Sequence, residues 1–134
     1  GCAKEDVLSI SAKTGDGVGV LLDKIIDDFT APNGKPDAKT RALIFDSYYD
    51  DYRGVILYVR IVDGQISKNE QIKMLATNAN GIALEVGHLS PVMTEDTVLS
   101  TGEIGYIVTN LKTTRDARVG DTVTLQKYFK GEGK

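Results

Sequence analysis

The chain has 134 residues, 41% hydrophobic and 26% charged, with sixteen basic and nineteen acidic side chains and a net charge of −3. That is the balance of a globular domain, or of a small one with an attached fragment, and not of a strongly basic nucleic-acid binder. Its longest apolar run, Val55-Ile56-Leu57-Tyr58-Val59, excludes a transmembrane helix, and its single cysteine (Cys2) and single histidine (His88) exclude an internal disulfide and a zinc site of Cys and His.

In chain order, Val7-Leu8-Ser9-Ile10-Ser11 reads as a short buried strand, and Lys13-Thr14-Gly15-Asp16-Gly17 as a turn. Val18, Leu21, Leu22, Ile25, Ile26 and Phe29 then recur at helical spacing, with Asp16 the expected N-cap. Such a helix is marginal in water unless a sheet covers its apolar face. The chain also begins at Gly1, not Met. The expectation is therefore a piece of a longer protein, cut from its partner sheet, and not a helix docked on the residues that follow. Ala31-Pro32-Asn33-Gly34-Lys35-Pro36-Asp37 is a linker, since two prolines and a glycine stop regular structure.

From Arg41 the pattern becomes β. Strands are predicted at 42–45, 55–62, 71–76, 82–89, 104–109 and 122–125. Asp63-Gly64 and Asn80-Gly81 suit tight hairpins, and Gly120-Asp121 marks a further turn. Gly87, Gly102 and Gly105 fit bends or close backbone approaches. Six short strands with regular turns argue for a closed barrel. No Lys or Arg lies between Lys73 and Lys112, whereas Glu85, Glu95, Asp96 and Glu103 do. The fold would then carry one basic and one acidic face, or the gap is uneven sampling of a soluble surface.

Three segments carry chemistry. Ser11-Ala12-Lys13, followed by Thr14-Gly15 and a helix, resembles the last guanine-recognition loop of Ras-like GTPases; the alternative is an ordinary turn between strand and helix. No Gly-x-x-x-x-Gly-Lys-[Ser/Thr] loop and no Asn-Lys-x-Asp motif accompanies it. Leu43 to Val55 encloses Tyr48, Tyr49, Tyr52, Arg53 and Gly54, aromatics beside a cation that suit RNA or that cap a barrel end. Lys112, Arg115 and Arg118 cluster in one connection and suit phosphate contact; the alternative is a solvated loop, or Arg118 paired with Asp116 or Asp121. His88 reads as structural, and Asp50-Asp51 and Glu95-Asp96 as solvated loop charges. No catalytic or metal-ligating constellation emerges.

Together these stretches, above all Phe45 to Gly54 and Gly102 to Thr122, closely resemble the LepA (elongation factor 4) family of bacterial translational GTPases from about Val7 to Leu125. One departure is Ser67-Lys68-Asn69-Glu70, where the family usually carries a Lys-Lys-Gly-Asp-like turn. The resemblance implies a mainly β fold: a six-stranded translation-factor-type β-barrel preceded by a strand–helix remnant of an α/β GTPase domain. Residues 1–30 would end the GTP-binding domain, 31–40 link it, 41–126 form the domain II barrel and 127–134 a tail. The implied parent uses GTP and Mg2+, hydrolyses GTP on the ribosome and remodels tRNA positions, including back-translocation. Its partners would be small-subunit rRNA and tRNA, and its place the cytoplasm, with peripheral association at the cytoplasmic face of the membrane left open. The hydrolytic residues would lie upstream of Gly1, so this segment needs no cofactor and is expected to be inactive alone. Of the nucleotide contacts only Ser11, Ala12 and Lys13 carry over. On chemistry, Tyr52, Arg53 and Gly54 lead as RNA contacts, with Lys112, Arg115 and Arg118 second. Another translational GTPase of this architecture and a stand-alone β-barrel interaction module remain the alternatives.

Overall fold

The computed structural model describes residues 3–129; Cys2 and the tail beyond Phe129 lie outside them. The chain divides into two compact units, Gly1–Ala31 and Pro32–Lys134.

In the first unit, after a short 3-10 turn at Lys4–Asp6, an α-helix, α1 (Val18–Asp28), forms where the 3.6-residue periodicity placed it. Its N-cap is Gly17, in the left-handed region at φ 70°, and not Asp16. Asp16 is committed elsewhere: its carbonyl accepts the Ser11 N–H at 2.9 Å. A Cβ on residue 17 would lie 2.9 Å from the Ser9 carbonyl oxygen, so both the angle and the space require glycine. The strand expected at Val7–Ser11 is not formed. Only a bridge between Ser11 and Asp16 exists, and Val7 is 59% exposed. A strand exists by pairing, and no second strand is present among the described residues of this unit. The helix buries none of its residues either, and Ile26 and Phe29 are each 76% exposed.

The second unit is the β-barrel. Its strands are β1 (Arg41–Asp50), β2 (Gly54–Asp63), β3 (Gln65–Ser67), β4 (Gln71–Met74), β5 (Asn80–Leu89), β6 (Met93–Asp96), β7 (Val98–Ser100), β8 (Ile104–Thr109) and β9 (Thr122–Leu125). The sheet order is β4-β9-β1-β2-β8-β5-β6, and β4 also pairs with β5. Six strands therefore close on themselves as β1-β2-β8-β5-β4-β9, every pairing antiparallel. These six are the predicted strands. The three short ones were not anticipated: β6 extends β5 as a hairpin, and β3 pairs with β7 as a separate ribbon.

Ile44, Val55, Leu57, Val59, Ile72, Val86, Ile107 and Val123 point into the barrel and are fully buried. Each contributes about 1.5–3 kcal/mol by leaving water. A second, smaller cluster of Ile56, Tyr106 and Val108 lies on the outside of the wall, packed by Tyr58 and Met93. It explains why 55–59 is apolar without alternation: β2 is covered on both faces. Gly105 and Gly87 allow the wall to close, because a Cβ on Gly105 would press into the Gly87 carbonyl and one on Gly87 would lie 2.7 Å from the Tyr106 hydroxyl.

Asn80-Gly81 is not a turn. Both residues are paired within β5, opposite Lys73 and Ile72. The reversal lies earlier, where Asn78 takes φ 59°. At the departure from the family pattern, Asn69 takes φ 67°, the conformation that glycine would adopt most easily and asparagine tolerates. Its N–H donates to the Ala83 carbonyl at 2.6 Å, and the Ser67 N–H donates to the Glu70 carboxylate at 2.9 Å.

Candidate nucleic-acid interface

Antiparallel alternation brings three connections to one end of the barrel: 51–53 between β1 and β2, 75–79 between β4 and β5, and 110–121 between β8 and β9. Side chains bind them together. The Asp121 carboxylate accepts the N–H groups of Ala76 at 2.8 Å and Thr122 at 2.6 Å, while the Thr77 hydroxyl donates to the Asp116 carbonyl at 2.6 Å. A Cβ on Gly54 would lie 3.1 Å from the Thr109 carbonyl oxygen and 3.7 Å from that of Leu111. Gly54 itself takes φ 82°, so the turn passes close to the start of the basic connection only because the residue is glycine.

Tyr52 stands out from this end, 99% exposed, and does not cap the barrel. Its backbone is held: the N–H groups of Tyr52 and Arg53 both donate to Asp50 Oδ1, at 2.8 and 2.9 Å. Tyr48 behaves differently. It stacks on Tyr58, which also stacks on Phe45, with centroids 5.8 and 6.3 Å apart on the outer face. Lys112, Arg115 and Arg118 are all exposed, and none forms an ion pair among the described residues. Arg118 thus does not pair with Asp116 or Asp121. A short 3-10 turn at Thr114–Asp116, capped where the Thr113 hydroxyl accepts the Arg115 N–H at 3.2 Å, orders the middle of the segment.

Arg53 is engaged internally. Its guanidinium forms an ion pair with Glu85 on β5, donates to Met93 Sδ at 3.1 Å and sits 5.7 Å above the Tyr106 ring. Tyr106 in turn donates its hydroxyl to Glu85 at 2.6 Å. Burial, then the Glu85 hydrogen bond, pushes the Tyr106 phenol up to about 12. Burial would raise Glu85 as well, but the Tyr106 and Arg53 hydrogen bonds outweigh it and hold the carboxyl below its ordinary value. Sequence reasoning missed Glu85 and Tyr106. The available signal was a lone carboxylate inside an apolar strand.

Three of the four carboxylates of the cation-free stretch are matched, and the fourth, the exposed Glu103, accepts the Ser100 N–H at 2.6 Å. Glu85 pairs with Arg53, Glu95 with Lys68 and Asp96 with His88 Nδ1 at 2.7 Å. Glu95 and Asp96 lie on β6, not in a loop, and Asp50 caps the Tyr52 turn. In the first unit, Ser11-Ala12-Lys13 forms a tight turn in which the Gly15 N–H donates to the Ser11 carbonyl at 2.8 Å. The Ala12 and Lys13 N–H groups have no hydrogen-bond partner among the described residues. No group of three or more His, Cys, Asp or Glu among the described residues is placed to hold a metal ion, and no helix there is long and apolar enough to cross a membrane.

The barrel geometry has a family counterpart: residues 54–124, β2 to β9, match the model of elongation factor Tu domain 2. The chain belongs to that family. Its relatives include elongation factor 4 of Streptomyces griseus, 54% identical over 92% of this chain, and elongation factor 4 of Mycobacterium leprae, 52% identical over 92%. This domain 2 chain spans about one fifth of the length of those relatives, 20% and 19%. The resemblance to the LepA, or elongation factor 4, type therefore stands for a segment of such a protein. Among solved structures, the translation elongation factor SelB of Methanococcus maripaludis in its apo form superposes with a TM-score of 0.76 at 17% identity, covering 88% of this chain and 25% of that one. The mainly β translation-factor barrel is the shared fold.

Proposed function

We propose that this segment docks a LepA-type translational GTPase onto the ribosome through the end of its barrel, where Tyr52, Lys112, Arg115 and Arg118 meet small-subunit rRNA. One observation carries the reading: three cations without an ion pair among the described residues and an exposed tyrosine share an end whose loops are locked by Asp121 and Asp50. Phosphate contact by the cations is independent of sequence, and an exposed ring stacks on any base. Residues 1–30 belong to the end of the GTP-binding domain, 31–40 to a linker, 41–126 to domain II and 127–134 to a tail. The Ala12 and Lys13 N–H groups, without a partner among the described residues, suit a guanine carbonyl, with Ser11 closing the turn.

The parent binds GTP with Mg2+, hydrolyses it on the ribosome in the cytoplasm and acts on tRNA positions. The present residues do not fit the complete nucleotide: no phosphate-cradling loop is in the sequence, and the described residues offer no metal cluster. This segment alone does not hydrolyse GTP.

The test is association of the chain with purified small ribosomal subunits across a salt series. Arg115→Ala is expected to lower the slope of log affinity against log salt by about 0.7–0.9. Tyr52→Ala is expected to weaken binding about tenfold, the value of one stacked base. Unchanged binding by both variants contradicts the proposal.

A further inference from the structure

We infer that Arg53 serves the proposed ribosome contact as a positioning residue, clamped by Glu85 and Tyr106, and does not itself touch RNA. The inference rests on the docking function proposed above. Next to Tyr52, and exposed for a third of its side chain, Arg53 has the position of a phosphate ligand. Its chemistry is already committed. The guanidinium has an ion pair with Glu85, a hydrogen bond to Met93 Sδ at 3.1 Å and the Tyr106 ring beneath it at 5.7 Å. Taking it to a phosphate would strand Glu85, a three-quarters buried carboxylate, with only the Tyr106 hydroxyl. Leaving a partly buried charge without its counter-ion is costly, whereas Lys112, Arg115 and Arg118 have no ion pair among the described residues to give up.

The geometry also shows what the clamp acts on. Arg53 is the last residue of the Asp50–Arg53 turn, which carries Tyr52 at its tip, and Gly54 then starts β2 against the Thr109 carbonyl. Glu85 lies on β5 where the β5–β8 ladder shifts register, and Tyr106 lies on β8. The clamp thus ties the turn to two strands on the far side of β2. The Asp50 hydrogen bonds fix the turn's shape; the clamp fixes its direction relative to the basic connection. Tyr52 has no contact of its own to do so, being 99% exposed.

Direct contact and positioning have opposite signatures. A double-mutant cycle on the 134-residue chain, bound to purified small ribosomal subunits, separates them. Arg53→Ala and Glu85→Gln are expected to weaken binding about tenfold with the salt slope unchanged. In the Tyr52→Ala background each is expected to cost less than about twofold, because the residue they orient is gone. A contribution to folding alone would lower the melting temperature and leave no coupling to an exposed side chain; binding is therefore measured well below each variant's transition. Tyr106→Phe keeps the ring and removes one hydrogen bond, and serves if Glu85→Gln fails to fold.

A fall in salt slope on Arg53→Ala equal to that of Arg115→Ala would overturn the inference. So would tighter binding by Glu85→Gln, since that variant frees the guanidinium for phosphate. Full additivity with Tyr52→Ala would overturn it too. If Tyr52→Ala and Arg115→Ala themselves leave binding intact, the docking function fails and the inference falls with it, a result distinct from the other three.

Discussion

At the scale of single residues, two carboxylates in this barrel do work that their surroundings in sequence conceal. Asp121 follows a glycine in a turn and looks like solvent-facing polarity, yet it is 4% exposed and holds the 75–79 turn to the 110–121 connection. Glu85 joins β5 to the outer cluster through Tyr106 and Arg53. The tyrosine half of that pair has a pH signature. In the unfolded chain a phenol titrates near its ordinary value of 10; in the fold it is pushed up to about 12 by burial and by Glu85. Below pH 10 the phenol is neutral in both states and its contribution to stability is complete. That contribution is lost as pH rises from about 10 through about 12. Urea unfolding between pH 8 and 11.5 is expected to show this decline, with a flatter profile for Tyr106→Phe. Equal slopes for the two proteins would refute the assignment.

At the scale of elements, the six barrel strands were legible because a half-buried strand must alternate and a doubly covered one must be apolar throughout. β1 and β5 were placed but drawn short, since Asp46, Ser47 and Asp50 interrupt the apolar pattern of β1 and Asn80-Gly81 has the composition of a turn; these residues pair because β2 and β4 lie beside them. β3, β6 and β7 were not legible. Three or four residues carry too little periodicity, and what makes them strands is the partner across the ladder. Helix α1 is the reverse case. Its periodicity is strong and its register correct, yet it buries nothing, so its amides lack the protection that packing confers. In hydrogen exchange at neutral pH, α1 is expected to exchange at least about a hundredfold faster than β2 and β8. Protection of α1 equal to the barrel strands would contradict this.

At the scale of the whole molecule, the barrel has its own closed hydrogen-bonded wall and its own core. Residues 32–134 alone are therefore expected to fold, with β-type circular dichroism and a single cooperative thermal transition. A truncated chain that is unfolded at 25 °C would refute that domain boundary. The Ser11–Lys13 turn resembles a guanine-recognition loop in its residue types, and its Ala12 and Lys13 N–H groups have no partner among the described residues.

Composition, periodicity and turn residues determined the class of this protein: a helical lead-in, a proline-rich link and a barrel of six strands, with aromatic and basic residues named one by one. These are local properties, written in spacing. What only the tertiary structure decided is which of those residues are free. Arg53 and Arg115 are alike in sequence, each a cation in a polar connection with an aspartate within two positions. One faces a carboxylate and a tyrosine delivered from 32 and 53 positions away, and the other has no ion pair or cation–π partner among the described residues. Whether a charge is available to a partner depends on what closes over it, and closure of a barrel is set by contacts between strands that no local pattern records.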